Sequence, residues 1–368
     1  MRDGSIGGDI AGPVTDAHCQ RVATSDIAAS SGYIAGPVYD AVMFVGAPLL
    51  ALGVGAAISG TALADEPLRL WGHAETATGI FIGSFIMAHL VLVVVRSHGN
   101  PRIFARHRWR FVGVPVLLWL LLWASDWALA IAVVVTVWWD VLHSSLQTFG
   151  LGRIYDARRG NPPALGRRLD LGLNVLLYVG PLLAGATLLA HLAVLETFEK
   201  VGATVFRAVP VYAEAQQGLL ARGLLVLGGL YLIVYVLGYL RLARRGYRVS
   251  WQKLLLLVFT GLCSLVCWGF DSFGEAFFVM NFFHAWQYFG LVWWSERGNL
   301  RRRLGLERAR LGGAAALLLM VGAAFAYGLW AECVDGREQR AALGLTLVVS
   351  LMHFWYDGFI WSVRRGEV

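Results

Sequence analysis

Four histidines of this chain stand inside apolar runs, three of them one helical turn from a second polar residue. The run "WWDVLHSSLQTFG" holds Asp140, His143 and Gln147 at spacings of three and four, and "NFFHAWQYFG" holds His284, Gln287 and Tyr288. The run "LMHFWYDGFIW" holds His353, Tyr356 and Asp357, and "FIMAHLVLVVVRSH" places His89 seven residues before Arg96. Residues three or four apart on an α-helix share a face, so each run presents its polar groups as one stripe. Imidazole suits Fe, Zn, Cu or Ni, and a ligating histidine usually gives its other ring N–H to a carboxylate or amide that fixes the tautomer. On this reading His89, His143, His284 and His353 are metal ligands and Gln147, Gln287 and Asp357 orient them. Asp140, Tyr288 and Tyr356 are the candidate catalytic groups, Asp140 as an orienter or proton relay. The competing reading of each pair is an interhelical hydrogen bond used as packing glue.

The elements that carry these stripes are set by composition. The 368 residues are 57% hydrophobic and 15% charged, where soluble domains carry roughly a quarter charged residues. Segments long enough to cross a bilayer, about 20 residues each, recur at 38–60, 75–96, 109–124, 126–151, 170–193, 218–241, 251–270, 275–295, 311–331 and 341–363. The sequence therefore predicts an all-α polytopic integral membrane protein of about ten transmembrane helices: a mobile polar tail over 1–37, then a single helical domain over 38–368. Residues 194–217 form an expected external loop with room for a short surface helix.

The excess of 31 Lys+Arg over 24 Asp+Glu would suit nucleic acid, but its placement argues for topology and against a nucleic-acid partner. Arg102, Arg106 and Arg108, then Arg153, Arg158, Arg159, Arg167 and Arg168, then Arg241, Arg244, Arg245 and Arg248, then Arg301, Arg302 and Arg303 all fall on alternate connections. The intervening ones carry Asp65 and Glu66, Asp126, Glu196 and Glu199, Asp271 and Glu275, or Glu332 and Asp335. The positive-inside rule then puts both termini in the cytoplasm, in a bacterial inner membrane. Counted from the basic residue that ends each span, His89 is 7 positions from Arg96, His143 10 from Arg153, His284 13 from Arg297 and His353 11 from Arg364. That spread is about 9 Å along the helix axes, so the four can meet in the cytoplasmic half of the bilayer.

Other signals are weaker or absent. His98 and His107 sit in a basic connection and are expected to be solvated, His18 lies in the tail, and His191 is placed near the outer surface. Cys263 and Cys267, four apart on one face, read as small packing residues. The chain has no P-loop, no closely spaced histidine boxes and no helix with two histidines about fourteen apart.

Single histidines on separate helices, with the "HAxQY" phrase at His284, resemble the bacterial membrane β-carotene 15,15′-dioxygenase family associated with rhodopsins. The resemblance implies that His89, His143, His284 and His353 gather around a non-haem iron that serves to oxidise a lipophilic molecule. The expectation is thus a metal-dependent oxygenase or oxidoreductase, with an electron donor reaching it from the cytoplasmic side. Haem, zinc and copper are the alternative occupants. A haem-binding electron carrier and a proton-coupled transporter are the alternative functions.

Overall fold

The computed structural model describes residues 32–70, 73–333 and 339–361. Most of the expected tail, with His18 and Cys19, lies outside the described residues. Its last positions are tied down: Ile34 is buried, and the amides of Ile34 and Ala35 donate to the Asp40 carboxylate at 2.6 and 2.9 Å. The described helical domain therefore begins nearer Ile34 than residue 38.

Thirteen labelled helices follow. They are α1 (Pro37–Val45, ending in a π-helical turn), α2 (Ala47–Ile58), α3 (Ala77–Val91), α4 (Val93–Ser97), α5 (Pro101–Ala124), α6 (Asp126–Arg158) and α7 (Arg167–Ala184). After these come α8 (Leu188–Ala193), α9 (Ala208–Arg244), α10 (Trp251–Phe270), α11 (Phe273–Arg303), α12 (Gly312–Glu332) and α13 (Arg340–Ile360). One antiparallel hairpin, β1 (Pro67–Leu70) with β2 (His73–Thr76), precedes α3. The starts are legible in the chain. Asn100, Ser125 and Ser250 each accept a first-turn amide with the side chain, and Ser272 with Glu275 forms a capping box that satisfies two orphan donors at once.

Six helices are long and apolar enough to cross a membrane, or eight if each of two bent pairs makes one span. The pairs are α1 with α2, bent by 57°, and α7 with the segment Leu188–Val201, bent by 90°. The chain is thus an all-α protein with the helices of an integral membrane protein. Two of the ten expected spans are not apolar enough, for a physical reason in each case. The first half of α5 carries Arg102, Arg106, Arg108 and Arg110 and leaves helical geometry at His107, while α11 carries Asn281, His284, Gln287 and Glu296. The expected surface helix is replaced by two 3₁₀ turns, Val194–Val201 and Thr204–Arg207, after which α9 runs 37 residues from Ala208.

The connections sort to two ends. At one, the Asn161 amide donates to the Arg248 carbonyl at 2.8 Å, joining two basic connections. At the other, Arg340 pairs with Asp126 at 2.5 Å and the Ser59 hydroxyl meets Glu275 at 3.3 Å.

Packing of α3, the helix of His89, is set by a close approach. A Cβ at Gly328 of α12 would lie 2.0 Å from the Ser84 carbonyl oxygen of α3, so only glycine lets the backbones meet there. Gly322, on the same helix, faces open space. Gly328→Ala should lower the thermal midpoint of the detergent-solubilised protein, by overpacking worth about 1–3 kcal/mol, and Gly322→Ala should not. Equal midpoints for the two variants would remove this contact from what positions His89.

Candidate metal centre

The four histidine stripes converge. His89 comes from α3, His143 from α6, His284 from α11 and His353 from α13, and all four are buried. Ring centroids are 5.1 Å apart for His89 and His284, 5.1 Å for His89 and His353, 5.1 Å for His143 and His284, and 4.8 Å for His143 and His353. Donor atoms of His89, His284 and His353 lie within 4.8 Å of one another, and so do those of His143, His353 and Asp357.

The tautomer of His353 follows from one contact. Its Nδ1 lies 3.0 Å from the Leu90 carbonyl, which only accepts, so Nδ1 is the donor and neutral imidazole leaves a lone pair on Nε2. The carbonyl is available beside a break at Leu92, between α3 and α4, because helix ends leave carbonyls without intrahelical partners. That Nε2 stands 3.1 Å from His143 Nε2. Two nitrogens each about 2.1 Å from a common ion stand roughly 3.0 Å apart at a right angle and about 3.4 Å apart at the tetrahedral angle. The observed separation falls in that range.

His89 and His284 supply the test of fit. Both nitrogens of both rings are buried with no hydrogen-bond partner. Burying a polar group without a partner costs about 1–3 kcal/mol, and each of these two rings brings one nitrogen within 4.8 Å of the other and of a His353 nitrogen. A cation shared with His143 and His353 would satisfy one nitrogen on each ring. The donor set is imidazole and carboxylate, suited to Fe, Zn or Cu.

Asp357 closes one side. Its Oδ2 lies 3.7 Å from His143 Nε2 and 3.8 Å from His353 Nε2. Its Oδ1 accepts from the Tyr288 hydroxyl and from Trp361 Nε1, both at 2.9 Å. Trp361 is fixed in turn by Arg96, whose guanidinium carbon lies 3.9 Å from the indole centroid. Arg96 donates to the Ile360 carbonyl and forms a buried ion pair with Glu296 at 2.7 Å. In the sequence Arg96 marks only the depth of His89; its cover over Trp361 is set by the fold.

Other expected site residues are placed differently. The Gln147 amide donates to the His284 carbonyl at 3.0 Å and to the Gln287 side-chain oxygen at 3.2 Å, and Gln287 donates to the Phe44 carbonyl at 2.8 Å. These amides therefore tie α6, α11 and α1 together through backbone carbonyls; neither donates to an imidazole. The Tyr356 hydroxyl donates to the Arg110 carbonyl at 3.2 Å and its ring packs on Phe111, so it serves the α5–α13 contact. Asp140 is half-buried on α6, and among the described residues no hydrogen bond or ion pair joins it to a histidine. Tyr288 alone of the three candidate catalytic groups reaches the cluster, through Asp357 and by a ring centroid 4.5 Å from that of His353.

His98, His107 and His191 are bonded or packed rather than solvated. His98 is half-buried, meets the Ser97 hydroxyl at 2.9 Å and donates to the Phe111 carbonyl at 3.2 Å; burial lowers its pKa below the ordinary imidazole value. The His107 ring packs against Phe359. His191 is buried, donates to the Thr187 carbonyl at 2.8 Å and sits among Trp138, Trp268 and Phe273. Cys263 and Cys267 are buried in the core, away from the histidines' donor sets.

Below the centre, at the basic end, lies a buried ion network that the positive-inside argument counts as loop charge. Arg153 donates to Asp156 at 2.7 Å and Asp170 at 2.5 Å, and Lys253 reaches the same two carboxylate oxygens at 2.8 Å each. Tyr239 and Tyr247 donate to Asp170 and Asp156 at 2.6 Å. Two cations against two anions make it neutral. It joins the end of α6 to the starts of α7 and α10. A cavity of about 680 Å³ runs between the two groups, bounded by His143 and Asp357 at one end and by Arg153 and Arg167 at the other.

Asp357→Asn keeps the shape and the hydrogen bonds to Oδ1 while removing the charge. A supporting group of this kind is typically worth about 10- to 100-fold in metal affinity. Chelator competition on the folded variant should show a loss of that size, whereas wild-type affinity would assign Asp357 to helix packing.

The chain matches no protein-family model, no curated protein and no solved structure.

Proposed function

We propose that the chain is a membrane-embedded metalloenzyme, a non-haem iron oxygenase or related oxidoreductase acting on a lipophilic substrate. The observation that carries this reading is the meeting of four histidines from four helices with the His89 and His284 nitrogens orphaned. His89, His143, His284 and His353 would hold the ion. When bound, iron with an open position supplies dioxygen activation. Asp357 is held by Tyr288 and Trp361 with its second oxygen toward Nε2 of His143 and of His353, where it would be a further oxygen ligand to the same ion. Cavity walls of Leu291, Phe354 and Phe359 offer an apolar surface to such a substrate.

The spacing supports a bare ion over haem. His143 and His353 nitrogens, 3.1 Å apart with their rings crossed, are at the separation of neighbouring ligands about 2.1 Å from one ion. A continuous relay for transported protons has less support, since His191, the histidine toward the acidic end, is enclosed by aromatic rings. The basic end would face the cytoplasm of a bacterial inner membrane, where an electron donor could dock.

Metal analysis of detergent-purified protein is the test. Iron should be present near one per chain, lost in His143→Ala and His353→Ala, and retained in His98→Ala and His107→Ala. Wild-type iron content in the first two variants, folded by thermal midpoint, would leave the histidines as packing groups.

A further inference from the structure

The cavity beside the centre has ends of opposite character. We infer that it binds a single-chain amphiphile with an anionic head, the head on Arg167 at the basic mouth and the chain running toward His143 and Asp357. This rests on the proposed metal site only for what happens at the far end of the chain.

Four observations support it. Arg167 lines the mouth and is exposed, its guanidinium 5.8 Å from the Phe149 ring centroid, and no carboxylate among the described residues pairs with it. The neighbouring network of Arg153, Lys253, Asp156 and Asp170 is neutral as a unit, so the Arg167 charge is surplus. Arg153 also lines the cavity; its side chain is 7% exposed, its terminal nitrogens are taken by carboxylates and carbonyls, and its Nε is buried without a partner. The one carboxylate on the cavity wall, Asp357, is at the opposite end.

Charge therefore orients the guest. An anionic head is attracted at the mouth, where guanidinium matches the planar geometry of carboxylate and phosphate oxygens. Helix α7 begins at Arg167 with Gly166 before it and no side-chain cap, so its first amides add to the attraction. His143 and Arg153 are ten residues apart on α6, about 15 Å at the helical rise, which calls for a long chain. A cavity of about 680 Å³ is within the roughly 300–1,000 Å³ that holds ligands of this size. Leu146, on the wall, is 38% exposed, so the cavity reaches the surface that lipid would cover.

The test uses the full chain in phosphatidylcholine nanodiscs and stearic acid spin-labelled at mid-chain, read by electron paramagnetic resonance. An immobilised signal near one per chain is expected, displaced by unlabelled palmitate or by lysophosphatidate but not by methyl palmitate; which of the two acids displaces better identifies the head. Arg167→Gln should weaken binding at least about 10-fold. Gly150 lines the same cavity and a Cβ there meets nothing within 4 Å, so Gly150→Phe starts from an open position and should abolish the signal in a variant whose thermal midpoint is unchanged. Displacement by the ester as readily as by the acids, or an unchanged signal in Gly150→Phe, would overturn the inference by assigning the label to annular lipid. Metal content measured on the same samples keeps the readings apart: a metal-free chain that binds the acid sinks only the metal reading, and an iron-bearing chain that does not bind it sinks only this one.

Discussion

Everything around the histidine cluster answers one constraint: a polar atom buried in an apolar interior must find a partner, because water is not there to supply one. Eight imidazole nitrogens meet in a space a few ångströms wide. One is satisfied by the Leu90 carbonyl, His143 and His353 face each other at 3.1 Å, and the four on His89 and His284 are unpartnered. The proposed cation would meet one nitrogen of each ring. Four helices must hold fixed rotations for that to be so, which is why the close contact at Gly328 and the helix break at Leu92 matter to a site they do not touch.

The shell behind the rings is built from longer-range pairs. Glu296 holds Arg96, Arg96 covers Trp361, and Trp361 and Tyr288 hold one oxygen of Asp357. The Arg96–Glu296 pair is buried on both sides and lends no obvious net stability, since desolvation offsets its attraction. Its contribution is geometric: it locks the end of α13, at Ile360 and Trp361, against α4 and α11. The network around Lys253 does the same for α6, α7 and α10, and leaves Arg167 as the unmatched charge at the cavity mouth.

The sequence by itself determined the class of fold and the membership of the cluster. Apolar length and the placement of arginines are properties of single helices, so an all-α chain with membrane-length helices is legible from them, as are starts such as Ser125 and Ser272. The cost of a histidine in an apolar run marks His89, His143, His284 and His353, and the rise per residue places them at similar depth. The number of apolar membrane-length helices was not legible, because α5 and α11 carry polar residues and two other segments bend.

Only the tertiary structure decided what each second polar residue does. Spacing of three or four fixes a face, but not what that face meets across an interface. Asp357 and Tyr288 turn out to border the rings, whereas Gln147 and Gln287 reach backbone carbonyls and Tyr356 reaches α5. Arg96, Arg153 and Lys253 show the same limit for charge: a basic residue near the end of an apolar run looks like a topology signal, and it becomes a buried partner when a carboxylate some 3 to 200 positions away folds against it. Apart from Arg153 with Asp156, one turn apart on α6, such pairings depend on how helices distant in sequence rotate against one another, which no local pattern encodes.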